Sequence, residues 1–318
     1  MGVTYSIAPF PSGWFQFAFS DEIAPGDVLA LTYFGRELVC YRTEGGELRL
    51  VDAFCPHLGA HLGYGGRVEA DVLICPFHGW QWGPDGRNVK IPYASRTNAK
   101  ARLICWPVRE VNGLALAWHH PGGDPPDWEI EPVEELTDPD FAPLERTSFE
   151  IAVHPQEVLE NAVDLAHFLT VHRAARMPDV ELKIDGPHLR SITTNQALKS
   201  ARGHFDGAVE SELWGLGIDV ARITGVVDTV SVLTLTPIDG VKVHARFGVT
   251  ARVSNDHGSA DQTRAERLAE KAQARVIEEF KTDLVIWEHK RYQPSPNLTA
   301  GEKLITTYRK WAQQFYTH

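Results

Sequence analysis

Two short loops of this chain each carry a thiol and an imidazole: Cys55-Pro56-His57 and Cys75-Pro76-Phe77-His78, with 17 residues between His57 and Cys75. Two thiolates and two imidazoles at this spacing meet the needs of a Rieske-type 2Fe-2S centre, in which two Cys hold one iron and two His the other. Each loop supplies one ligand of each kind, so both must close over one cluster. A structural zinc ion also accepts two Cys and two His. Zinc modules usually pair Cys with Cys and His with His along the chain, whereas each loop here alternates the two.

A second set of donors lies downstream. The run Asn161-x-x-Asp164-x-x-His167-x-x-x-x-His172 sets an acid and two imidazoles in an otherwise apolar helical pattern, where burial is costly unless they bind something. Five residues on an ideal helix separate His167 from His172 by about 140°. For both to reach one metal, the helix must end or take a π-type distortion between them, and an irregularity is expected there. The alternative is two satisfied histidines on different faces.

A third donor is far along the chain. Val276, Phe280, Asp283 and Trp287 recur at i, i+4, i+7 and i+11, so Asp283 shares the stripe that otherwise faces a core. A carboxylate there needs a cation, which a nearby Lys or Arg could supply. Two His and one carboxylate around a metal with open positions form the facial triad of non-haem Fe(II) oxygenases. An electron-delivering cluster and an oxygen-activating iron are a functional pair, which favours the metal.

The elements that must position these groups divide the sequence. From residue 14 to 118 the pattern is strands and tight turns, with strands at 28–33, 37–42 and 48–54 around Phe34-Gly35 and Gly45-Gly46. The stretch 121–143 shifts to Pro, Gly and acid and reads as a linker. Beyond it come a helix over 155–172, a strand-rich stretch over 189–253 and a long helix over 260–289. The expected fold class is α+β: an all-β domain over 1–120 and, over 144–318, a helix-flanked antiparallel sheet of helix-grip type.

Composition narrows the partners. Of 318 residues, 31 are Lys or Arg and 42 are Asp or Glu, a net charge of −11 that argues against nucleic acid or an anionic membrane as the main partner. With two of the four Cys claimed by the loops, no disulfide framework is left. No stretch approaches the roughly 20 apolar residues of a membrane span, and a reducing, cytoplasmic setting is expected. Cys40 and Cys105 are expected as buried small hydrophobes, and His119, His120, His204 and His244 as surface or structural groups.

Taken together, the two loops, the run beginning at Asn161 and Asp283 resemble the oxygenase component of Rieske non-haem iron oxygenases. Within that superfamily the stretches Cys55 to Leu62, Cys75 to Gln81, Lys90-Ile91-Pro92-Tyr93, Trp287-Glu288-His289-Lys290 and Tyr308 to Tyr316 are similar to the branch of 3-ketosteroid 9α-hydroxylases and cholesterol 7-desaturases. The resemblance implies that Cys55, His57, Cys75 and His78 hold the 2Fe-2S cluster and that His167, His172 and Asp283 hold a mononuclear Fe(II). It implies a head-to-tail homotrimer, with Asp164 bridging a neighbour's cluster histidine to His167 or His172.

The activity implied is a monooxygenase that hydroxylates a steroid or similar polycyclic substrate with O2. Desaturation or oxidative demethylation at the same iron is the alternative. Electrons from NAD(P)H must pass through a separate flavin/iron-sulfur reductase or ferredoxin, since the chain has no Gly-x-Gly-x-x-Gly fingerprint. Apolar side chains should line the pocket, with Phe168, Trp214, Leu216, Ile218 and Phe247 as candidates. A Rieske electron carrier with a non-catalytic second domain is the non-enzymatic alternative, and a zinc-stabilised binding protein a third.

Overall fold

Strands Val28–Tyr33 and Arg36–Arg42 pair antiparallel across Phe34-Gly35, whose φ values of 55° and 66° lie in the left-handed region. That is the two-residue hairpin turn whose twist matches the flanking strands. In the computed structural model, which describes residues 7–200, 203–253 and 259–316, this hairpin opens a four-stranded sheet completed by Leu48–Asp52 and Cys105–Trp106. A second sheet joins the short strands Arg67–Glu69, Val72–Ile74, Gln81–Trp82 and Asn88–Lys90. A third joins Gly13–Phe19, Leu114–His119 and Val108–Val111. Val39, Tyr41, Val51, Leu62, Leu73, Trp82 and Leu103 are buried together beneath the two cysteine loops.

The chain divides into two compact units, one of Phe15–Asp127 and one of the residues up to Trp14 with those from Trp128 onward. The division after Asp127 falls inside the Pro/Gly-rich stretch 121–143. Ile130 and Val133, in the same stretch, are buried.

The second unit is built on one antiparallel sheet of seven strands. Their spatial order is Glu145–Ile151, Val243–Ala251, Thr229–Pro237, Ile218–Thr224, Gly203–Trp214, His188–Ser200 and Asp179–Asp185. Alternation sends Phe149, Leu189, Leu213, Leu233 and Phe247 to one face, which the helices cover. A long helix, α3 (Ser259–His289), lies there with the ring of Phe280 stacked on Phe247 at 4.2 Å. Its 31 residues contain neither Gly nor Pro and are rich in Ala, Glu, Lys and Arg, which keeps it unbroken.

The continuous helix expected over 155–172 is instead three short pieces: α1 (Pro155–Leu159), a 3-10 turn over Glu160–Ala162, and α2 (Ala166–Thr170). Local chemistry accounts for the break. The Asp164 side chain accepts the N–H of Ala166 at 3.2 Å, a bond that offers the backbone an alternative to helix. A further helix, α4 (Lys303–Ala312), and the strands Glu145–Ile151 and Asp179–Asp185 go beyond the expected elements. α4 buries Ile305, Tyr308, Trp311 and Ala312 on one stripe, and the Tyr308 hydroxyl donates to the carbonyl of Gln156 at 2.8 Å. Among the described residues no helix is long and apolar enough to cross a membrane.

Candidate metal centres

The two cysteine loops are built alike. In the first, the N–H of Cys55 donates to the carbonyl of Ala60 and the N–H of Gly59 returns to Cys55; in the second, Cys75 donates to Trp80 and Gly79 returns to Cys75. Each turn closes through a left-handed glycine, Gly59 at φ 74° and Gly79 at φ 68°, a conformation that costs a side-chain-bearing residue about 1–2 kcal/mol. The repeated geometry buries both thiols and leaves both imidazoles half-buried. The rings of His57 and His78 lie 4.8 Å apart at 73°, and Trp80 stacks flat on His57 at 4.3 Å.

These donors fit an iron-sulfur cluster. Burial, opposed by the backbone at His57 and reinforced by the nearby Cys75, pushes the Cys55 thiol up to about 11. A buried Cys55 thiolate needs a nearby cation, and a bound metal cluster would supply that positive charge. The imidazoles lie nearer the surface than the thiols.

The second centre comes from two distant segments. His167 sits on α2, His172 just past its end and Asp283 on α3, and one donor atom from each lies within 4.8 Å of the others. The helix ends between the two histidines, as expected: α2 stops at Thr170, and just past His172 the chain turns away, with Arg173 at a left-handed φ of 55° and the N–H of Ala174 reaching back to the carbonyl of Phe168 at 2.8 Å. The imidazole centroids lie 5.1 Å apart. Asp283 is only 7% exposed.

Each imidazole is oriented through its far nitrogen. Nδ1 of His167 donates to the main-chain carbonyl of Asp164, leaving Nε2 for a metal. Nδ1 of His172 faces Glu279 at 3.3 Å, while its Nε2 is 3.3 Å from the Asp283 carboxylate. Two donors each about 2 Å from one ion keep a separation of this size, so the site fits a divalent iron. Burial lowers the pKa of His167. For His172 burial acts in the same sense, but hydrogen bonds and charge from Asp283 and Glu279 overcome it and raise the pKa.

Glu279 was missed in the sequence. Its signal is its place four residues before Asp283, which puts both carboxylates on neighbouring turns of one helix face. Asp164 differs in detail from its expected role: within this chain its main-chain carbonyl, not its carboxylate, meets His167.

The apolar candidates separate. Phe168 packs against both imidazoles, at 4.4 and 5.6 Å between centroids, and Phe247 is on the helix-covered face beneath Phe280. Trp214 and Ile218 pair with each other on the opposite face, because Leu213 and Asp219, one residue along each strand, pair on the covered face. A period-2 strand cannot turn both sets inward. Trp214 instead stacks on His188 at 4.2 Å, and Leu216 is buried in the turn between the two strands.

Of the remaining groups, Cys40 is buried but Cys105 is exposed, contrary to expectation, at the end of the first sheet. His119 stacks on Phe34 at 4.5 Å, and His120 accepts backbone N–H groups of its own loop. Burial lowers the pKa of His244 to about 4. The side chain of His204 lies outside the described residues.

Comparison with known proteins agrees with this architecture. Residues 13–107 match the Rieske 2Fe-2S domain, and residues 117–316 match the 3-ketosteroid 9alpha-hydroxylase C-terminal domain. A cholesterol 7-desaturase of Ciona intestinalis is 30% identical over 339 residues, covering 97% of this chain and 69% of its own length. The oxygenase component of a 3-ketosteroid-9-alpha-monooxygenase of Rhodococcus rhodochrous is 29% identical over 326 residues, covering 96% of this chain and 84% of its own. Among solved structures, NdmA of Pseudomonas putida CBB5 with caffeine shares the fold at a TM-score of 0.74 and 20% identity, covering 94% of this chain and 89% of that one. The cofactors are accordingly a Rieske 2Fe-2S cluster and a mononuclear iron. The chain belongs to the Rieske-type oxidoreductases that carry the 3-ketosteroid 9alpha-hydroxylase C-terminal domain.

Proposed function

We propose that this chain is the terminal oxygenase component of a multicomponent system that hydroxylates a steroid or a similar hydrophobic polycycle. The observation that carries the reading is the meeting of His167, His172 and Asp283 within 4.8 Å, on a chain whose other unit is a Rieske domain. In this reading Cys55, His57, Cys75 and His78 hold the cluster, and His167, His172 and Asp283 hold the iron. When bound, the two centres supply one-electron delivery and dioxygen activation beside the substrate.

The chain's own residues do the positioning. The Asp164 carbonyl and the Glu279 carboxylate hold the far nitrogens of His167 and His172, which fixes the tautomers that leave Nε2 free for metal. Phe168 and Phe247 are the apolar wall candidates, suited to a substrate bound mainly by burial. A separate reductase or ferredoxin brings electrons from NAD(P)H. A homotrimer closed head to tail would bring one subunit's cluster to the next subunit's iron, with the Asp164 carboxylate, half-buried and bonded only to its own loop among the described residues, as the bridge.

Desaturation is the second reading, favoured by the relative named as a cholesterol 7-desaturase. Incubation of the iron-loaded chain with a surrogate reductase, NADH, a panel of steroids and isotopically labelled dioxygen tests both. A product carrying one labelled oxygen supports hydroxylation, and a product short of two hydrogens without label supports desaturation. Oxidation of NADH that no steroid stimulates, with every steroid recovered unchanged, would overturn the assignment.

A further inference from the structure

The helix-covered face of the seven-stranded sheet carries one acid in the middle of an apolar row. Leu189 pairs with Leu213, Leu213 with Asp219, Asp219 with Leu233, and Leu233 with Phe247, so these five side chains line up across five strands. Phe247 is the ring on which Phe280 stacks, and Asp283 follows Phe280 by one turn of α3. Asp219 is two strands from Phe247, about 10 Å, on the face from which α3 presents its carboxylate.

Beside Asp219 the face is lined by small side chains. The adjoining cross-strand row reads Ser191, Ser211, Ala221 and Ser231. Leu213 and Leu233, on either side of Asp219, are 0% and 7% exposed, yet Asp219 and Ala221 keep accessible surface. A largely buried acid that keeps some surface between closed leucines, with short side chains next to it, leaves room for a ligand atom on the covered face.

Hydrogen-bond donors gather there. The Ser211 hydroxyl donates to Asp219 at 2.6 Å and is that acid's only hydrogen-bond partner among the described residues. Ser191, opposite Ser211, is 1% exposed, and its hydroxyl has no partner among the described residues. A buried hydroxyl left unpaired is costly, which makes it a place for a ligand atom. Burial raises the Asp219 carboxyl to about 7, with Ser211 opposing and Glu212 reinforcing the shift. Below that value its second oxygen carries a proton to donate.

We propose that Asp219, Ser211 and Ser191 form a polar anchor for a carbonyl oxygen at the end of the substrate remote from His167, His172 and Asp283, and so select which carbon is presented there. The inference rests on the reading of the chain as an oxygenase of hydrophobic polycycles. In an apolar site a few polar groups set orientation, and a site built to hydrogen-bond an oxygen rejects the analogue that lacks it.

Titration of the iron-loaded chain with a ketosteroid, with its deoxy counterpart and with the matching alcohol, followed by tryptophan fluorescence, tests the anchor. Products of turnover are analysed in parallel. The ketone should bind about tenfold or more tightly than the deoxy compound. Asp219→Leu and Ser191→Ala should each erase most of that preference by weakening ketone binding while leaving the deoxy compound within about twofold, and should spread oxidation over several carbons. Asp219→Asn, which keeps a donor, should retain most of the preference.

Cluster absorbance and a thermal melt check that each variant is folded, and if Asp219→Leu does not fold, Ser191→Ala and Asp219→Asn decide. An unchanged preference in the folded variants overturns the anchor, and so does an alcohol that binds as tightly as the ketone and is lost in Asp219→Asn. Turnover of ketone and deoxy steroid with equal affinity would overturn the anchor and leave the oxygenase reading standing. Failure of the wild-type chain to bind or oxidise any of the three overturns both.

Discussion

Nε2 of His172 stands 3.3 Å from the carboxylate of Asp283, and its Nδ1 stands 3.3 Å from Glu279, one turn earlier on the same helix. One imidazole is thus held between two carboxylates of α3, one buried and one half-buried. The inner acid is in reach of a shared ion and the outer one fixes the ring.

Asp283→Ala should therefore remove the mononuclear iron and spare the cluster. Iron should fall from about three to about two atoms per chain while the visible spectrum of the cluster persists. Loss of the cluster absorbance along with the third iron would contradict the division into two independent centres.

Glu279 is expected to act through His172 rather than on the metal. Glu279→Gln, which keeps an acceptor for Nδ1 but loses the charge, and Glu279→Ala, which removes the partner that fixes the tautomer, should weaken iron affinity within about 10- to 100-fold, Ala the more. Competition with a chelator measures this directly, and affinities equal to wild type would remove Glu279 from the site.

Asp164→Asn separates electron transfer from metal binding. The variant keeps the main-chain carbonyl that meets His167, so both metals should load normally. Oxidation of the reduced cluster in a single turnover should be much slower than in wild type, and an unchanged rate would refute the bridging role.

The two loop glycines should differ in their tolerance of alanine. At Gly59 a methyl group meets nothing within 4 Å, so Gly59→Ala carries only the left-handed backbone penalty of about 1–2 kcal/mol. At Gly79 the same methyl group comes to 3.0 Å from the Pro92 ring, so Gly79→Ala must also shift Pro92, or the loop that presents Cys75 and His78 against it, by a few tenths of an ångström. Cluster absorbance per chain should fall further in Gly79→Ala.

Asp219 should make stability depend on pH. Its carboxyl titrates near 7 in the folded chain against 3.8 as a free group, so the folded state holds a proton that the unfolded state releases between those values. Stability contributed by this group is complete below about pH 4 and is lost as pH rises to 7. Asp219→Asn should be more stable than wild type at pH 8, by on the order of 2–4 kcal/mol, with the advantage shrinking towards pH 5. Denaturant midpoints at the two pH values would show it, and a pH-independent difference would count against it.

The types and spacing of the candidate ligands were legible in the chain itself, since metal chemistry restricts which residues can serve and a local loop restricts how far apart they stand. Cys55, His57, Cys75 and His78 could be read that way, and so could the need for a break between His167 and His172, which follows from the pitch of a helix. The stripe of α3 marked Asp283 as an inward acid.

Tertiary structure decided what depends on register and on segments distant in sequence. Only the folded chain pairs His172 with Asp283 and Glu279, because no local rule links α2 to α3. Trp214 and Ile218 face away from the covered side, and Asp219 faces into it, for a single reason: in a strand the choice of face is fixed by pairing with its neighbours, and a shift of one residue reverses every side chain.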